Sequence, residues 1–334
     1  MGTDGEMSQG ESASRLRVRV LVTGATGFLG GATAAALASE GCAVLRGART
    51  SPGTVREGEA WIGYGEIGPK TDWQEALEGV DTIVHAAGLA HLEDKAGAER
   101  LWQVNVGGTA SLAACAVARG VRRFILISSV AVNGSITAGT PFTEDSGEQP
   151  DNSYAHSKLE AETRLKEIAR GTAMECVILR PPLVYGLGAR GNFRRLVKLV
   201  RSGLPLPLGC ATAPRSFIAI DNLTSVIGRC VEHPAAANQT FLIRDAELAS
   251  TVQLIHGIAA ALGRRVWTPR IPASVMRAAF YLAGREGDFR RLFEPLDIDC
   301  GKVRKLLGWS PTVSMAEGLR RATATAPLSI LGTP

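Results

Sequence analysis

A tyrosine and a lysine that could exchange a proton with a substrate stand four residues apart, at Tyr154 and Lys158. On a helix this spacing puts both side chains on one face. A phenol with its ordinary pKa of about 10 is a poor acid–base group at neutral pH, but a neighbouring ammonium group stabilises the phenolate and lowers that pKa. The pair therefore predicts proton transfer to or from a substrate oxygen. A surface tyrosine beside a solvated lysine would show the same spacing.

Three glycines spaced three residues apart follow an apolar run near the start of the chain and open an alanine-rich segment. A strand, a glycine-rich turn and a helix in this order form the phosphate-binding corner of a dinucleotide site, because the missing side chains let backbone N–H groups approach a pyrophosphate. A tight turn without a ligand is the alternative. The turn residues expected to bind the cofactor are Gly24, Thr26, Gly27, Phe28, Leu29 and Gly30.

The end of the second predicted strand distinguishes the two nicotinamide dinucleotides. NAD binding usually places an acid there to accept hydrogen bonds from the ribose, but residues 44–50 contain Arg46 and Arg49 and no acid. Because an arginine pairs with the 2′-phosphate of NADP, NADP(H) is favoured as the cofactor and NAD(H) is possible. The alternative is that both arginines are solvated surface residues. Glu66 and Ile67 are expected near the adenine.

The elements that must position these residues form an α/β pattern. Alternating strands and helices predict a Rossmann-type doubly wound parallel sheet with a smaller C-terminal substrate-binding lobe. We expect a disordered leader over residues 1–15, an NAD(P)-binding domain over 16–180, and mainly substrate-binding elements over 181–330, with some returning to the core. Strands are expected at 18–22, 43–46, 82–85, 124–128 and 176–179, and helices at 30–39, 99–118 and 154–169.

Composition narrows the class of protein and its partners. Net charge is +5, but aromatic residues make up only 5% of the chain, which argues against nucleic-acid binding because stacking platforms are scarce. The sequence lacks a run of about 18 apolar residues, so membrane insertion is not expected. The six cysteines form no CxxC pair, which indicates free thiols in a reducing, cytoplasmic setting and no metal site.

Upstream of the tyrosine, an apolar run at residues 124–127 ends in two hydroxyls, Ser128 and Ser129. Together with other motifs, this segment resembles the extended short-chain dehydrogenase/reductases, the NAD-dependent epimerase/dehydratase family, over residues 17 to 320. The family includes nucleotide-sugar epimerases, dehydratases and reductases. The marks are the turn at 23–30, His-Ala-Ala-Gly at 85–88, Asn-Val-x-Gly-Thr at 105–109, the serine pair with Gly134, the Tyr154/Lys158 pair, and Arg-Pro-Pro-Leu-Val-Tyr-Gly at 180–186.

The resemblance implies roles for the matching residues. Ser129, five residues before Gly134, is the catalytic hydroxyl beside Tyr154 and Lys158, whereas Ser128 is structural. Asn133 stands where the family has tyrosine, and it is expected to shape the substrate pocket. The cofactor-binding residues implied outside the glycine-rich turn are Ala86, Ala87, Gly88, Asn105, Tyr154, Lys158, Pro181 and Val184.

On the substrate side, the segments around Asn192, Phe193 and Arg215 look like those that hold a nucleotide diphosphate, while Ser129 contacts the reacting oxygen. A guanidinium is well suited to phosphate. The alternative for Arg215 is a salt bridge to a nearby acid. The family often dimerises through two helices, so helices 99–118 and 154–169 are expected to form a homodimer interface.

Several functions remain open on the sequence alone. A dehydratase would need an acidic pair after the catalytic hydroxyl, and Val130 and Ala131 occupy those places. The segments at 203–209, 128–134 and 141–144 look similar to those of bacterial UDP-sugar 4-ketoreductases. This resemblance implies the favoured reaction, NADPH-dependent 4-keto reduction of a UDP-4-keto-6-deoxy-N-acetylhexosamine for surface polysaccharide. The alternatives are a UDP-hexose 4-epimerase with retained NAD, a steroid-type or flavonoid-type ketoreductase, and a non-catalytic NAD(P)-binding sensor.

Overall fold

The computed structural model describes residues 17–90 and 95–324, so the predicted leader over residues 1–15 lies outside the described residues. The strands in chain order are β1 (Arg19–Thr23), β2 (Ala43–Ala48), β3 (Ala60–Gly63), β4 (Thr82–His85), β5 (Arg123–Ile127), β6 (Glu175–Arg180), β7 (Leu183–Tyr185), β8 (Pro214–Arg215), β9 (Phe217–Ala219), β10 (Thr240–Leu242) and β11 (Ala249–Ser250).

The α-helices are α1 (Phe28–Ser39), α2 (Lys95–Leu101), α3 (Thr109–Ala118), α4 (Ser153–Ala169), α5 (Gly191–Ser202), α6 (Ile220–Glu232), α7 (Thr251–Ala261), α8 (Ala273–Leu282), α9 (Glu286–Phe293), α10 (Gly301–Leu307) and α11 (Met315–Thr323). Short 3₁₀ turns occur at Glu75–Leu77, Val130–Val132 and Pro234–Ala236, and a π-helical segment spans Trp102–Gly108.

Seven strands form a parallel sheet in the order β10-β6-β5-β4-β1-β2-β3. Every residue of β4 and β5 is buried, as expected for strands covered by helices on both faces. The order reverses beside β1, which pairs with β2 on one side and β4 on the other. Ligands bind at such a reversal, outside the carboxyl ends of the strands. The predicted doubly wound Rossmann-type fold is confirmed.

Two apolar clusters cover the two faces of the sheet. One contains Val20, Val22 and Val84 and extends to α6 and α10. The other contains Leu21, Ile83 and Phe124 and extends to α3 and α4. Successive strand residues point to opposite faces, so neighbours such as Val20 and Leu21 enter different clusters. This alternation fixes the register and, with it, the position of every strand end.

The helix predicted over residues 99–118 is confirmed, but it is not α-helical throughout. It is divided into α2, the π-helical segment Trp102–Gly108, and α3. The π-helical segment lies against a loop: a Cβ at Gly107 would meet Pro69 at 3.0 Å, and Gly108 lies directly under Ile67. Periodicity alone cannot reveal such an interruption, because one extra residue per turn changes the helix without changing its apolar composition.

The second half of the chain divides between the sheet and a lobe. Strand β10 extends the sheet beside β6, and α6 packs on α1. Helices α5, α7, α8, α9 and α11 contribute instead to a separate apolar cluster that contains Phe193, Leu254 and Met276. The domain boundaries expected at 180 and 181 stay a prediction.

Candidate active site

The glycine-rich turn joins β1 to α1 and approaches the loop after β4. Gly24 has a φ of +69°, and a Cβ built there would lie 3.0 Å from the backbone of Ala87. A Cβ at Gly30 would collide with the carbonyl of Gly24. Both positions therefore require glycine. No side chain caps the N-terminus of α1 at Gly27, which leaves its first N–H groups for an anion. The turn fits the pyrophosphate of a dinucleotide.

A buried histidine ties this turn to its neighbours. His85 Nδ1 lies 2.8 Å from Thr23 Oγ1, and its Nε2 lies 3.1 Å from Thr109 Oγ1. The backbone N–H of Ala87 donates to the same Thr23 hydroxyl at 3.2 Å. Burial, with a smaller effect of the Lys158 charge, lowers the pKa of His85 to about 3. The ring is therefore neutral at pH 7 and joins two elements by one donor and one acceptor nitrogen.

Asn105 holds the loop that follows β4. Its Oδ1 accepts from the N–H of Leu89 at 2.8 Å, and its Nδ2 donates to the carbonyl of Leu89 and to Ser157 Oγ, both at 3.0 Å. A Cβ at Gly88 would lie 3.1 Å from Asn105 Oδ1 and 3.3 Å from Lys158 Nζ. The π-helical segment thus carries the asparagine that places this loop beside the predicted catalytic lysine.

Ser129 and Tyr154 reach one place from different elements. Ser129 follows the carboxyl end of β5, and its Oγ accepts from the N–H of Ala131 at 3.2 Å. Tyr154 is the second residue of α4, whose N-terminus is capped by Asn152 Oδ1 at 3.0 Å from the N–H of Ala155. The cap fixes the start of α4 and so the position of the phenol.

Lys158 lies one turn further along α4 and is buried. Its Nζ donates to the carbonyl of Ile127 at 3.0 Å. Burial, partly opposed by the negative charge of Glu162, lowers its pKa to about 8. At pH 7 the ammonium therefore stays protonated, and it holds a fixed position beside the end of β5.

The expected lowering of the Tyr154 pKa is wrong for the protein without ligand. Burial raises that pKa above its ordinary value, and hydrogen bonding with the Ser129 side chain opposes the rise. Desolvation wins because it penalises the phenolate directly, whereas the ammonium of Lys158 is held by a backbone carbonyl. At neutral pH Tyr154 is therefore a protonated phenol, poised to donate.

A buried ion pair beneath the site was not predicted from the sequence. Glu162, four residues after Lys158 on α4, accepts from Arg180 Nη2 at 2.6 Å, and both side chains are buried. Ser128 Oγ donates to Glu162 as well, which gives this serine the structural role expected of it. The sequence shows that Glu162 follows Lys158 by one helical turn. It does not show the ion pair, because Arg180 lies 18 residues further along the chain.

Asn133 does not shape the substrate pocket, contrary to expectation. Its side chain is fully buried, and its Oδ1 accepts from Arg180 Nη1 at 3.1 Å. Its Nδ2 donates to the carbonyl of Ser146 at 3.3 Å. The residue therefore completes the polar surroundings of Arg180, because a buried guanidinium needs acceptors for several of its donors.

At the opposite end of the cleft, the two arginines have partners. Arg46 is buried, lies 3.3 Å from Glu59 and packs over Trp61. Arg49 is exposed, and its Nη1 lies 3.0 Å from Glu66 Oε1. The fold thus brings an acid next to Arg49 that strand β2 itself lacks. Glu66 also lies 3.9 Å from Arg100, so two arginines share one acid at this exposed end of the site.

Tyr64 is a further residue at this end that the sequence did not indicate. Its hydroxyl accepts from the N–H of Gly24 at 3.0 Å. Burial raises its pKa, with smaller opposing effects of Gly24 and Arg49. Tyr64 follows β3, so only the parallel pairing of β3 with β2 brings it to the glycine-rich turn.

Two cavities meet at the catalytic hydroxyls. A cleft of about 180 Å³ is lined by the predicted cofactor residues Leu29, Ala86, Gly88, Lys158, Pro181 and Val184. A larger cavity of about 690 Å³ extends into the C-terminal lobe. Ser129 and Tyr154 line both. A cofactor in the cleft and a substrate in the larger cavity would therefore meet at these two side chains, which is what transfer of a hydride and a proton requires.

The larger cavity also contains the predicted substrate residues Asn192, Phe193 and Arg215. Arg215 is buried and donates to the backbone carbonyls of Glu294 and Arg290. Burial lowers its pKa to about 10, so it is charged at neutral pH. The salt bridge considered for it is not formed: no carboxylate of residues 17–90 or 95–324 lies within 4.0 Å of its nitrogens.

Comparison with known proteins places the chain in a family. Residues 20–243 match the NAD dependent epimerase/dehydratase family. A UDP-glucose 4-epimerase of Vibrio cholerae is 36% identical over 307 residues, which is 90% of this chain and 93% of that protein. An N-acetyl-alpha-D-glucosaminyl-diphospho-ditrans,octacis-undecaprenol 4-epimerase of Escherichia coli is 29% identical over 62% of this chain and 63% of its own.

The fold agrees with this relationship. A UDP-glucuronic acid 4-epimerase from Bacillus cereus, solved in complex with NAD, superposes with a TM-score of 0.74 at 23% identity, covering 91% of this chain and 96% of its own. Fold and site define an NAD(P)-dependent enzyme of the short-chain dehydrogenase/reductase type. The chain belongs to the NAD dependent epimerase/dehydratase family.

Proposed function

We propose that this enzyme interconverts a hydroxyl and a carbonyl at C4 of a nucleotide-diphosphate sugar, as a UDP-hexose 4-epimerase with retained NAD. The extent of similarity to the Vibrio cholerae epimerase, over nine-tenths of both chains, supports this reaction. The acid that the fold brings beside Arg49, Glu66, is compatible with NAD as well as NADP, which weakens the argument for NADPH from strand β2.

The buried guanidinium of Arg215, which has no carboxylate within 4.0 Å among the described residues, carries the proposal. A buried cation without a carboxylate is unfavourable until an anion enters the cavity. The cavity is otherwise lined mainly by apolar residues. A diphosphate bound beside Arg215 would be held by charge-assisted hydrogen bonds. The sugar beyond it would then extend toward Ser129 and Tyr154, which line the same cavity.

The side chains divide the chemistry among them. When bound, the nicotinamide supplies the acceptor and donor of hydride. Tyr154, in the phenolate form that the ammonium of Lys158 stabilises, accepts the proton of the C4 hydroxyl during oxidation and returns it to the same oxygen during reduction, and Ser129 hydrogen-bonds that oxygen. Epimerisation then requires the sugar to present its other face before hydride returns, and a large cavity with a mainly apolar lining gives it room to rotate.

A second candidate is the NADPH-dependent reduction of a UDP-4-keto-6-deoxy-N-acetylhexosamine. The absence of an acid in β2 and the exposed Arg49 favour it, because this arginine can leave Glu66 to pair with a 2′-phosphate. The same catalytic residues would perform the reduction once per cofactor. A homodimer built on α3 and α4 is proposed for either enzyme.

Cofactor retention and substrate turnover separate the candidates. The purified full chain should contain tightly bound NAD and interconvert UDP-glucose and UDP-galactose without added cofactor, as followed by anion-exchange chromatography. Release of weakly bound NADP, with NADPH oxidation only on 4-keto sugar nucleotides, would replace the epimerase by the reductase. Absence of turnover on both substrate classes would leave the non-catalytic sensor.

Protection by UDP tests the diphosphate site itself. UDP should raise the melting temperature of the wild-type protein, and Arg215→Gln should remove most of that increase. Arg320→Gln, on the exposed side of α11, is the matched control and should keep it. Equal protection of both variants would exclude Arg215 as the diphosphate ligand.

A further inference from the structure

Eight of the ten residues of helix α8 are apolar, and yet the helix is mostly exposed. Of its ten residues, Ala273 to Leu282, only Met276 is buried. Val275 is 55% exposed and Leu282 is 85% exposed. A contiguous exposed apolar surface on a protein commonly marks an interaction site. The described residues of this chain leave the outer face of α8 uncovered.

The two faces of α8 differ in their contacts. The inner face packs on α9, where the ring of Phe280 lies 6.2 Å from that of Phe289 and Arg277 lies over the same ring at 5.3 Å. The outer face carries Val275, Ala278, Ala279 and Leu282, all exposed. These four recur at the i, i+3, i+4, i+7 spacing of one continuous stripe, and none is polar.

A second exposed apolar surface borders the same cavity. Trp267 is 70% exposed and Leu204 is 62% exposed. Their loops are joined by the hydrogen bond from the N–H of Leu206 to the carbonyl of Trp267 at 2.9 Å. Leu204 lines the larger cavity together with Met276 of α8. Helix α8 and the loop bonded to Trp267 therefore border the same cavity, and the stripe of α8 and the Trp267 loop together are called the docking surface.

The unpaired charge next to the Trp267 loop is positive. Residues 261–285 contain five arginines and no acid. Arg277 and Arg285 pair with Glu294 and Asp288. The other three, which flank Trp267, have no carboxylate partner in the described part of the chain and are exposed; they are Arg264, Arg265 and Arg270.

We propose that the docking surface binds an anionic lipid bilayer. An apolar stripe, an exposed tryptophan and adjacent arginines are the features by which a helix lies in the headgroup region, and each arginine near the surface adds about 1 kcal/mol with anionic lipid. No helix of residues 17–90 and 95–324 is long and apolar enough to cross a membrane, so the contact is peripheral. A second copy of the chain fits less well, because a self-paired face would bring the arginines together.

Vesicle co-sedimentation of the full chain tests the proposal. The protein should pellet with vesicles of phosphatidylcholine and phosphatidylglycerol, and much less with phosphatidylcholine alone. The double variant Val275→Glu/Leu282→Glu should bind the anionic vesicles at least about tenfold more weakly, because it removes two apolar contacts from the stripe. Arg265→Gln/Arg270→Gln should lose most of the preference for phosphatidylglycerol.

The matched control is Val55→Glu, which changes an exposed valine between β2 and β3. It should bind vesicles as the wild type does. Neither Val275 nor Leu282 lines the larger cavity, so turnover of a water-soluble sugar nucleotide should change by no more than about twofold in the double variant. This result would exclude misfolding as the reason for lost binding.

Three results would overturn the proposal. The wild type could fail to bind the anionic vesicles, or the double variant could bind them fully. Light scattering could instead show that the wild type is a dimer and the double variant a monomer, while the wild type does not bind vesicles. This result would assign the docking surface to a second copy.

Discussion

The catalytic edge of the sheet and the C-terminal lobe are built in opposite ways. At the edge, Lys158, Asn105 and His85 each have short hydrogen bonds to at least one other element. In the lobe, the larger cavity is lined mainly by apolar side chains, and Leu199 and Leu204 at its border are exposed. One region has its polar groups bonded in place, whereas the other leaves apolar groups in contact with water.

The two regions therefore have different roles: the edge of the sheet performs the chemistry, and the lobe accepts the substrate. Proton and hydride transfer need atoms held at fixed distances, and a buried hydrogen-bonded network supplies that rigidity. A sugar that must rotate within the site needs a surface with few directional bonds and a charged group, such as Arg215, that holds the diphosphate. We therefore expect substitutions at the edge to have large effects and those in the lobe to have small ones.

The largest effect is expected for Tyr154→Phe. Removing the hydroxyl eliminates the proton donor and acceptor, and turnover should fall by about 10²–10⁴-fold. Steady-state kinetics with circular dichroism as a folding check measures this loss. Tyr281→Phe, which changes an exposed tyrosine of α8, is the control and should retain full activity. Near-normal turnover of Tyr154→Phe would refute the assigned chemistry.

The next effect is on stability, at the ion pair beneath the site. Glu162→Ala leaves the Arg180 charge buried, with only the partly exposed Glu148 as an acidic partner, and should lower the free energy of unfolding by about 3–5 kcal/mol. Urea denaturation provides the measurement. Glu160→Ala, on the same helix, removes a solvent-facing pair with Arg164 and should cost about 0.3–0.5 kcal/mol. Equal losses of unfolding free energy in the two variants would show that the buried pair stabilises the fold no more than the exposed pair does.

A smaller, pH-dependent effect is expected at His85. Its folded-state pKa of about 3 lies below the ordinary value of 6.5, so between these values the unfolded chain binds a proton that the folded chain does not. Stability should therefore fall as pH drops through this window, by at most about 1.4 kcal/mol per pH unit from this residue. The stability of His85→Gln should depend less steeply on pH. Parallel wild-type and variant curves would contradict a buried neutral histidine.

The smallest effect is expected in the lobe. Leu199→Ala changes a residue at the cavity border that is already exposed, and should alter the free energy of unfolding by less than about 0.5 kcal/mol. Leu179→Ala, in the buried strand β6, should cost about 2–5 kcal/mol. If the two substitutions lowered the free energy of unfolding equally, the lobe would be packed as tightly as the sheet. The proposed difference between the two regions would then be wrong.

Local spacing explains which expectations were confirmed by the fold. The strands, the glycine-rich turn and the start of α4 depend on residues within one or two turns of one another, so their pattern is visible along the chain. The assignments of Ser129, Tyr154 and Lys158 stay predictions until variants are measured. The structure adds that Ser129 and Tyr154 line one cavity and that Lys158 is held by the carbonyl of Ile127.

The sequence by itself determined the fold class, the glycine-rich turn and the family. These features depend on apolar periodicity and glycine spacing among residues that are close together in the chain. Only the tertiary structure decided which charges meet. It paired Arg49 with Glu66, gave Glu162 its arginine, and left Arg215 without an acid. The physical reason is that desolvation and ion pairing depend on distances between residues far apart in the chain, which no local pattern contains.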